Sequence, residues 1–240
     1  MRSSMAAGGV AAIVFGVAGL ASVVLQLAQQ TLGFADTDDP AVNLAYLREH
    51  LDNYLQQGLV LFLMAIALTI VVFAVWDVLV GRSGSLGLRT VTSLGLAAAL
   101  CFFLFGVLRY SVRPLLYIDG LNSDWGEASY LVQQIAGIHG VAQASILMMS
   151  SWAVGVAILG YRSRALPRWL AILAILPLFR LLSGVGPLFG PDGLPEGTWI
   201  LAMLSIPGSL VWFILLGAVL LRRGLRPAPL SPTVSEIVAA

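Results

Sequence analysis

Six long apolar stretches, at about residues 6–28, 58–80, 90–112, 130–160, 166–188 and 197–221, alternate with more polar connections along the chain. A bilayer hydrocarbon core about 30 Å thick is crossed by roughly 20 residues of α-helix. Helix is also the form in which a single stretch can satisfy its own backbone inside lipid. The pattern therefore predicts an all-α fold, a polytopic membrane helical bundle of six transmembrane helices forming one domain over residues 1–225. The first stretch exceeds the roughly 7–15 apolar residues of a signal peptide, and no convincing cleavage site follows it, so it is expected to persist as an anchor.

The connection before the second stretch carries a pattern of its own, "DPAVNLAYLREHLDNYLQQ". Asp39 suits a helix N-cap and Pro40 the first helical position. Leu44, Leu47, Leu51 and Tyr54 or Leu55 then recur at helical spacing. A short outer amphipathic helix is predicted here, on the membrane surface or capping the bundle, with His50 on its polar face. Residues 226–240 hold three prolines and read as a disordered cytoplasmic tail.

Within the stretches, Gly8, Ala12 and Gly16, and again Ala136, Gly140 and Ala144, are spaced to let another helix approach closely. That helix can belong to the same chain, to a second copy in a homo-oligomer or to a membrane partner. Pro177 and Pro207 are expected to kink the fifth and sixth spans and free carbonyls that neighbouring groups must take up. Ser205 and Ser209 lie near the second of these.

Charge orients the pattern and excludes several functions. Only 10% of the 240 residues are charged and 59% are apolar, against about 25% charged in an ordinary soluble domain. Net charge is +1 and the arginines are dispersed, so there is no basic face for nucleic acid. With six crossings, Arg2, Arg82, Arg89, Arg162, Arg164, Arg168, Arg222, Arg223 and Arg226 all fall on one side. By the positive-inside rule that side is the cytoplasm, which places both termini inside a bacterial cytoplasmic membrane. The single cysteine, Cys101, rules out an intrachain disulfide and a Cys-based zinc centre. Two histidines, one of them in the outer helix, cannot supply paired haem ligands within the bundle. Phosphate-binding, hydrolase and metalloprotease motifs are absent from the sequence, and no cofactor or metal is expected.

Polar residues inside the spans are then the functional candidates, because each is costly in lipid. In the segment "QQIAGIHGVAQ", Gln133 and Gln134 fall in the headgroup layer. His139 is 23 residues from Arg162, about 34 Å along a helix, at the outer hydrocarbon boundary. Gln143 lies one turn deeper. At 100° per residue His139, Gln143 and Ser150 form one polar stripe. Gln26, Gln29, Gln30, Gln56, Gln57, Arg109 and Arg113 reach the same level from other spans. Arg180, twelve residues after Arg168, is the deepest charge, about 18 Å in. Two readings are open: helix ends made polar by the interface, with arginines snorkelling to it, or side chains converging on a cavity. Asp77, near the inner surface, is expected to pair with Arg82 or Arg162.

The segments "YRSRALPRWLAILAI" after the fourth span and "FAVWDVLVGRSGSLGLRTVTSLGLAAAL" joining the second and third resemble a large bacterial family of six-helix membrane proteins catalogued as domain of unknown function 4386. Trp76-Asp77 stands where that family usually has Tyr-Pro. The resemblance covers roughly residues 8–222; it implies the six-helix fold and lends no activity or catalytic residue. From the residues themselves two functions are expected. In the first the chain binds or permeates a membrane lipid or small amphiphile through an outward-facing polar cavity, with Arg180 and Arg109 on an anionic head and His139, Gln143 and Gln133 orienting it. In the second it is an intramembrane enzyme acting on a lipid or isoprenoid, with Glu127 or His139 as general acid or base.

Overall fold

Alternation of apolar stretches with polar connections becomes, in the computed structural model, a set of antiparallel helices described over residues 2–32, 40–81, 84–112, 124–185 and 198–225. The helices are α1 (Arg2–Thr31), α2 (Pro40–Leu79), α3 (Ser85–Tyr110), α4 (Asp124–Gln134), α5 (Gln143–Arg162), α6 (Arg168–Leu173), α7 (Ile175–Val185) and α8 (Thr198–Gly224), with a π-helix, Ile135–Ala142, between α4 and α5. Among the described residues five helices are long and apolar enough to cross a membrane.

The stretch expected as a fifth of six spans, 166–188, is instead two short helices, described as far as Val185 and separated at Ala174. Pro177 is the physical cause: it has no N–H for the carbonyl of Leu173, and its ring crowds that carbonyl. The turn tightens ahead of it, with Ala174 N–H donating to Ala171 O over 3.2 Å, which leaves Leu170 O without its usual partner. Trp212 of α8 supplies one, its Nε1–H donating to Leu170 O over 2.9 Å. In α8 the helix runs on through Pro207, and Ser209 Oγ donates to Ser205 O over 2.6 Å.

The segment expected as a separate amphipathic helix is continuous with the second span in α2, whose one non-helical residue is His50, at φ −127° and ψ 31°. Its apolar face caps the bundle: Leu44, Leu47 and Tyr54 are buried with Val112 and Tyr130. Asp39 lies outside the described residues, as do Arg82, Arg113 and the tail 226–240.

Around the bundle each helix meets its neighbours in turn: α1 packs on α2, α2 on α3, α3 on α5, α5 on α7, α7 on α8, and α8 back on α1. The ring is tightest where glycines let α8 reach α1. A Cβ at Gly9 would lie 2.8 Å from Gly217 O, and one at Gly16 2.7 Å from Leu210 O. Gly8 meets Ala74 of α2 in the same manner. The first small-residue seam is therefore used within the chain. Gly224 of α8 lies against Arg2 and Ala6, and Ser4 Oγ donates to Asp77 Oδ2 over 2.6 Å. Asp77 thus accepts a hydrogen bond from Ser4 of α1; Arg82, one of the two arginines expected to pair with it, lies outside the described residues. These contacts put Arg2, Asp77 and Arg223 at one end of the ring.

Outside the ring, α2 shows a stripe of Leu59, Leu63, Ile66, Ile70 and Phe73, each 42–61% exposed. A band of large apolar side chains at helical spacing on the outer face is what lipid requires and water disfavours. Among the described residues the fold is all-helical, and five of its helices have the length and apolar character of membrane spans.

On the axis, from mid-depth to the Arg-rich end, the ring is filled. Phe15 stands 4.3 Å from Phe213 and 5.7 Å from Phe102 between ring centroids. Trp152 stacks on Phe213 at 5.6 Å, and Trp212 sets its edge to both. Leu79, Val156, Leu170, Leu216 and Leu220 complete the core below them.

A candidate site at the glutamine-lined end of the ring

Above that aromatic layer the ring does not close, leaving a cavity of about 440 Å³ lined by residues of α1, α2, α3, α5, α7 and α8 and by Ala142 of the π-helix. Its walls follow from where each helix turns polar. On α1 the lining passes from Gly19 through Ser22 to Gln26, Gln29 and Gln30; on α2 from Met64 and Leu61 up to Gln57; on α3 from Phe102 and Phe105 up to Arg109; on α5 from Met149 up to Gln143. Apolar side chains form the deep part, and the amides of Gln57 and Gln143 and the guanidinium of Arg109 the rim. Arg180 enters from α7. The broken fifth stretch is what sets that residue's direction, because the helix carrying Arg180 restarts at Ile175.

Arg109 is only 5% exposed. Its Cζ lies 4.3 Å from the centre of the Tyr54 ring and 5.2 Å from that of Phe105. Phe105 belongs to the same face of α3 one turn away. Among the described residues Nε and Nη1 of Arg109 have no hydrogen-bond acceptor. A desolvated cation–π contact returns about 2 kcal/mol, less than the several kcal/mol that an uncompensated buried charge costs. Among the described residues the guanidinium is therefore held against aromatic rings, with Nε and Nη1 lacking an acceptor.

The amides around it are partly engaged. Gln29 Nε2 donates to Asn53 O over 3.1 Å and Gln57 Nε2 to Ser22 Oγ over 3.2 Å, tying α1 to α2 at the rim. Oε1 of Gln57 and Oε1 of Gln143 are buried without a donor among the described residues. Ser145 Oγ donates back to Ala142 O over 2.7 Å. The described lining residues include Arg109 and Arg180 and no carboxylate.

Of the side chains singled out from the sequence, Arg109, Arg180 and Gln143 meet in this cavity. Gln133 does not line it: its Nε2 donates to Leu108 O and, over 3.0 Å, to Ser111 Oγ, fastening α4 to the end of α3. The side chains of Glu127 and His139 lie outside the described residues. The expected stripe of His139, Gln143 and Ser150 assumed an unbroken α-helix; the π-helix at 135–142 widens the turn and changes which residues share a face with Gln143. Ser150 is fully buried, away from the lining, with no partner for its Oγ among the described residues. The Arg109–Phe105 pair was readable as i and i+4 on one helix. Tyr54 was not, because its approach depends on how α2 packs on α3.

No family model, no curated protein and no solved structure matches the chain.

Proposed function

We propose that this protein holds a membrane lipid or small amphiphile in the cavity at the outer end of its ring. The observation that carries the reading is the meeting of Arg109, Arg180 and Gln143 in one cavity whose deep walls are apolar. Its volume falls in the roughly 300–1,000 Å³ range of small-molecule sites. Binding is favoured over permeation because the axis beneath is filled by Phe15, Trp152, Trp212 and Phe213, each 0–1% exposed. In this reading α6 and α7 together make the sixth crossing: the 18 residues from Arg168 to Val185 reach about 27 Å at 1.5 Å per residue. The Arg-rich end faces the cytoplasm of a bacterial cell, with both termini inside, and the cavity opens outward.

The test is native mass spectrometry of the full chain taken from its own membranes. A bound amphiphile is expected on the wild type and is expected to be lost from Ile146→Trp, which places an indole in the cavity. The same adduct in the same amount on both proteins would sink the proposal.

A further inference from the structure

Hydrogen-bonding groups left open in the cavity wall describe the head of the occupant, provided that the amphiphile reading holds. Three lining residues carry buried side-chain atoms with no hydrogen-bond partner among the described residues: Arg109 at Nε and Nη1, Gln57 at Oε1 and Gln143 at Oε1. They stand on successive walls of the ring, α3, α2 and α5. Arg180 lines the cavity too but already has an interaction of its own, so the open groups are those three.

Their heights are set by close contacts of the backbone. A Cβ at Gly58 would stand 3.5 Å from Cβ of Arg109, which puts the neighbouring Gln57 level with Arg109. On the other flank of α3 a Cβ at Gly137 would stand 3.5 Å from Cβ of Leu108. Gln143 follows six residues later, up to about 9 Å deeper. Helical side chains lean towards the N-terminal end of their helix, which on α5 is the rim, and the terminal torsion of glutamine is broad. One small head can therefore meet all three.

The open groups differ in kind. A guanidinium only donates, and its best acceptor is an oxyanion. The rings of Tyr54 and Phe105, 4.3 and 5.2 Å from its Cζ, offer no such oxygen. The donor end of the Gln57 amide is taken by Ser22 Oγ, which leaves a carbonyl, and the open atom of Gln143 is again a carbonyl. An oxyanion alone satisfies Arg109 and brings nothing to these two acceptors. Hydroxyl groups do, whereas an ammonium would set a second positive charge beside Arg109.

We infer that the head of the occupant joins an oxyanion, held by Arg109, to one or more hydroxyls, held by the carbonyls of Gln57 and Gln143; a phosphate ester of a polyol has this chemistry. A site whose buried polar groups need a ligand's hydroxyl discriminates against analogues that lack it.

Four probes are offered at equal concentration to the purified full chain, stripped of bound lipid, and retained ligand is counted by native mass spectrometry. Decyl phosphoglycerol carries both groups, decyl methyl phosphate the oxyanion alone, 1-O-decylglycerol the hydroxyls alone, and glycerol 3-phosphate the head without a chain. Wild type is expected to favour decyl phosphoglycerol about tenfold or more over 1-O-decylglycerol, about fivefold over decyl methyl phosphate and about tenfold or more over glycerol 3-phosphate. Arg109→Gln is expected to erase the first preference and keep the second. Gln143→Met is expected to narrow the second and keep the first. Each result is a ratio between ligands on one protein, so a general loss of stability imitates neither. If one variant retains no probe, the wild-type order and the other variant decide.

Equal retention of the three decyl probes overturns the head inference and leaves an amphiphile site standing. Decyl methyl phosphate held as firmly as decyl phosphoglycerol overturns the hydroxyl, and wild-type ratios in both variants overturn the assignment to these residues. Glycerol 3-phosphate held as firmly as its decyl ester makes the site one for a soluble phosphate. Retention of no decyl probe overturns the amphiphile reading itself.

Discussion

At the scale of single residues, the fold depends most on positions where a side chain is missing. A Cβ on Gly9 would come within 2.7 Å of Leu221 N and 2.8 Å of Gly217 O, both backbone atoms that cannot swing aside. Gly87 of α3 is also helical, yet its added Cβ would find only Leu159 Cδ2 at an ordinary 3.5 Å. The same substitution should therefore have opposite signs. Gly9→Ala is expected to destabilise by about 1–3 kcal/mol through overpacking, and Gly87→Ala to stabilise by up to about 1 kcal/mol through helix propensity. Thermal unfolding in one detergent compares them; equal shifts in the same direction would contradict the close approach of α1 and α8. Arg109 is the residue whose surroundings invert the usual rule. Its position near a helix end left a snorkelling side chain as one of two readings, and the structure buries it against the Tyr54 and Phe105 rings instead.

At the scale of elements, two departures from regular α-helix place the site. Pro177 divides the fifth stretch, and the restarted helix brings Arg180 to the cavity. The π-helix at Ile135–Ala142 takes up extra backbone between α4 and α5, so that α4 can face α3 through Gln133 while α5 turns Gln143 inward. Removing one residue, Gly137, should return the segment to α-helical register and rotate α4 by about 100° against α5. In a Cys101→Ala background, cysteines at Ser111 and Gln133, positions joined through Gln133 Nε2 and Ser111 Oγ at 3.0 Å, are expected to be bridged by a short bifunctional thiol reagent that replaces the reach of the glutamine amide. The crosslink should be lost on deleting Gly137, and its survival there would show that the π-helix does not control how α4 faces.

At the scale of the whole molecule, the closed ring gives the protein a filled end and a hollow one. Gly224 against Arg2, Ser4 bonded to Asp77, and Arg223 bonded to the carbonyl of Ala165 lie at the filled end. Gln29, Asn53, Gln57 and Arg109 gather at the other. Single cysteines at Ser3 and Arg162 in a Cys101→Ala background are expected to react with an impermeant maleimide only after cells are opened, and one at Ala45 in intact cells. Labelling of Ser3 and Ala45 positions from the same side would reject the two-ended arrangement. All three residues are exposed, so differences in reactivity would report sidedness.

Much of this architecture was legible before any coordinates. Apolar length identified the membrane class and located α1, the span within α2, α3, α5 and α8, because lipid demands a fixed thickness of self-bonded backbone. Depth counting from the Arg-rich connections put the glutamines and Arg109 at one level, since rise per residue in a helix is constant. The small-residue spacing in α1 marked a close contact, which the fold assigns to α8 and α2. Facing was less accessible. It depends on every residue keeping 100° of rotation, and the π-helix, the break at Ala174 and the bend at His50 each reset that count at a place where hydrophobicity hardly changes. Which helices stand side by side, and so whether Arg109, Arg180 and Gln143 share a cavity, was settled only when glycine contacts closed the ring and the aromatic layer filled half of its axis. Sequence determines depth through a one-dimensional rise, whereas convergence depends on packing between stretches as far apart in the chain as Gly9 and Gly217.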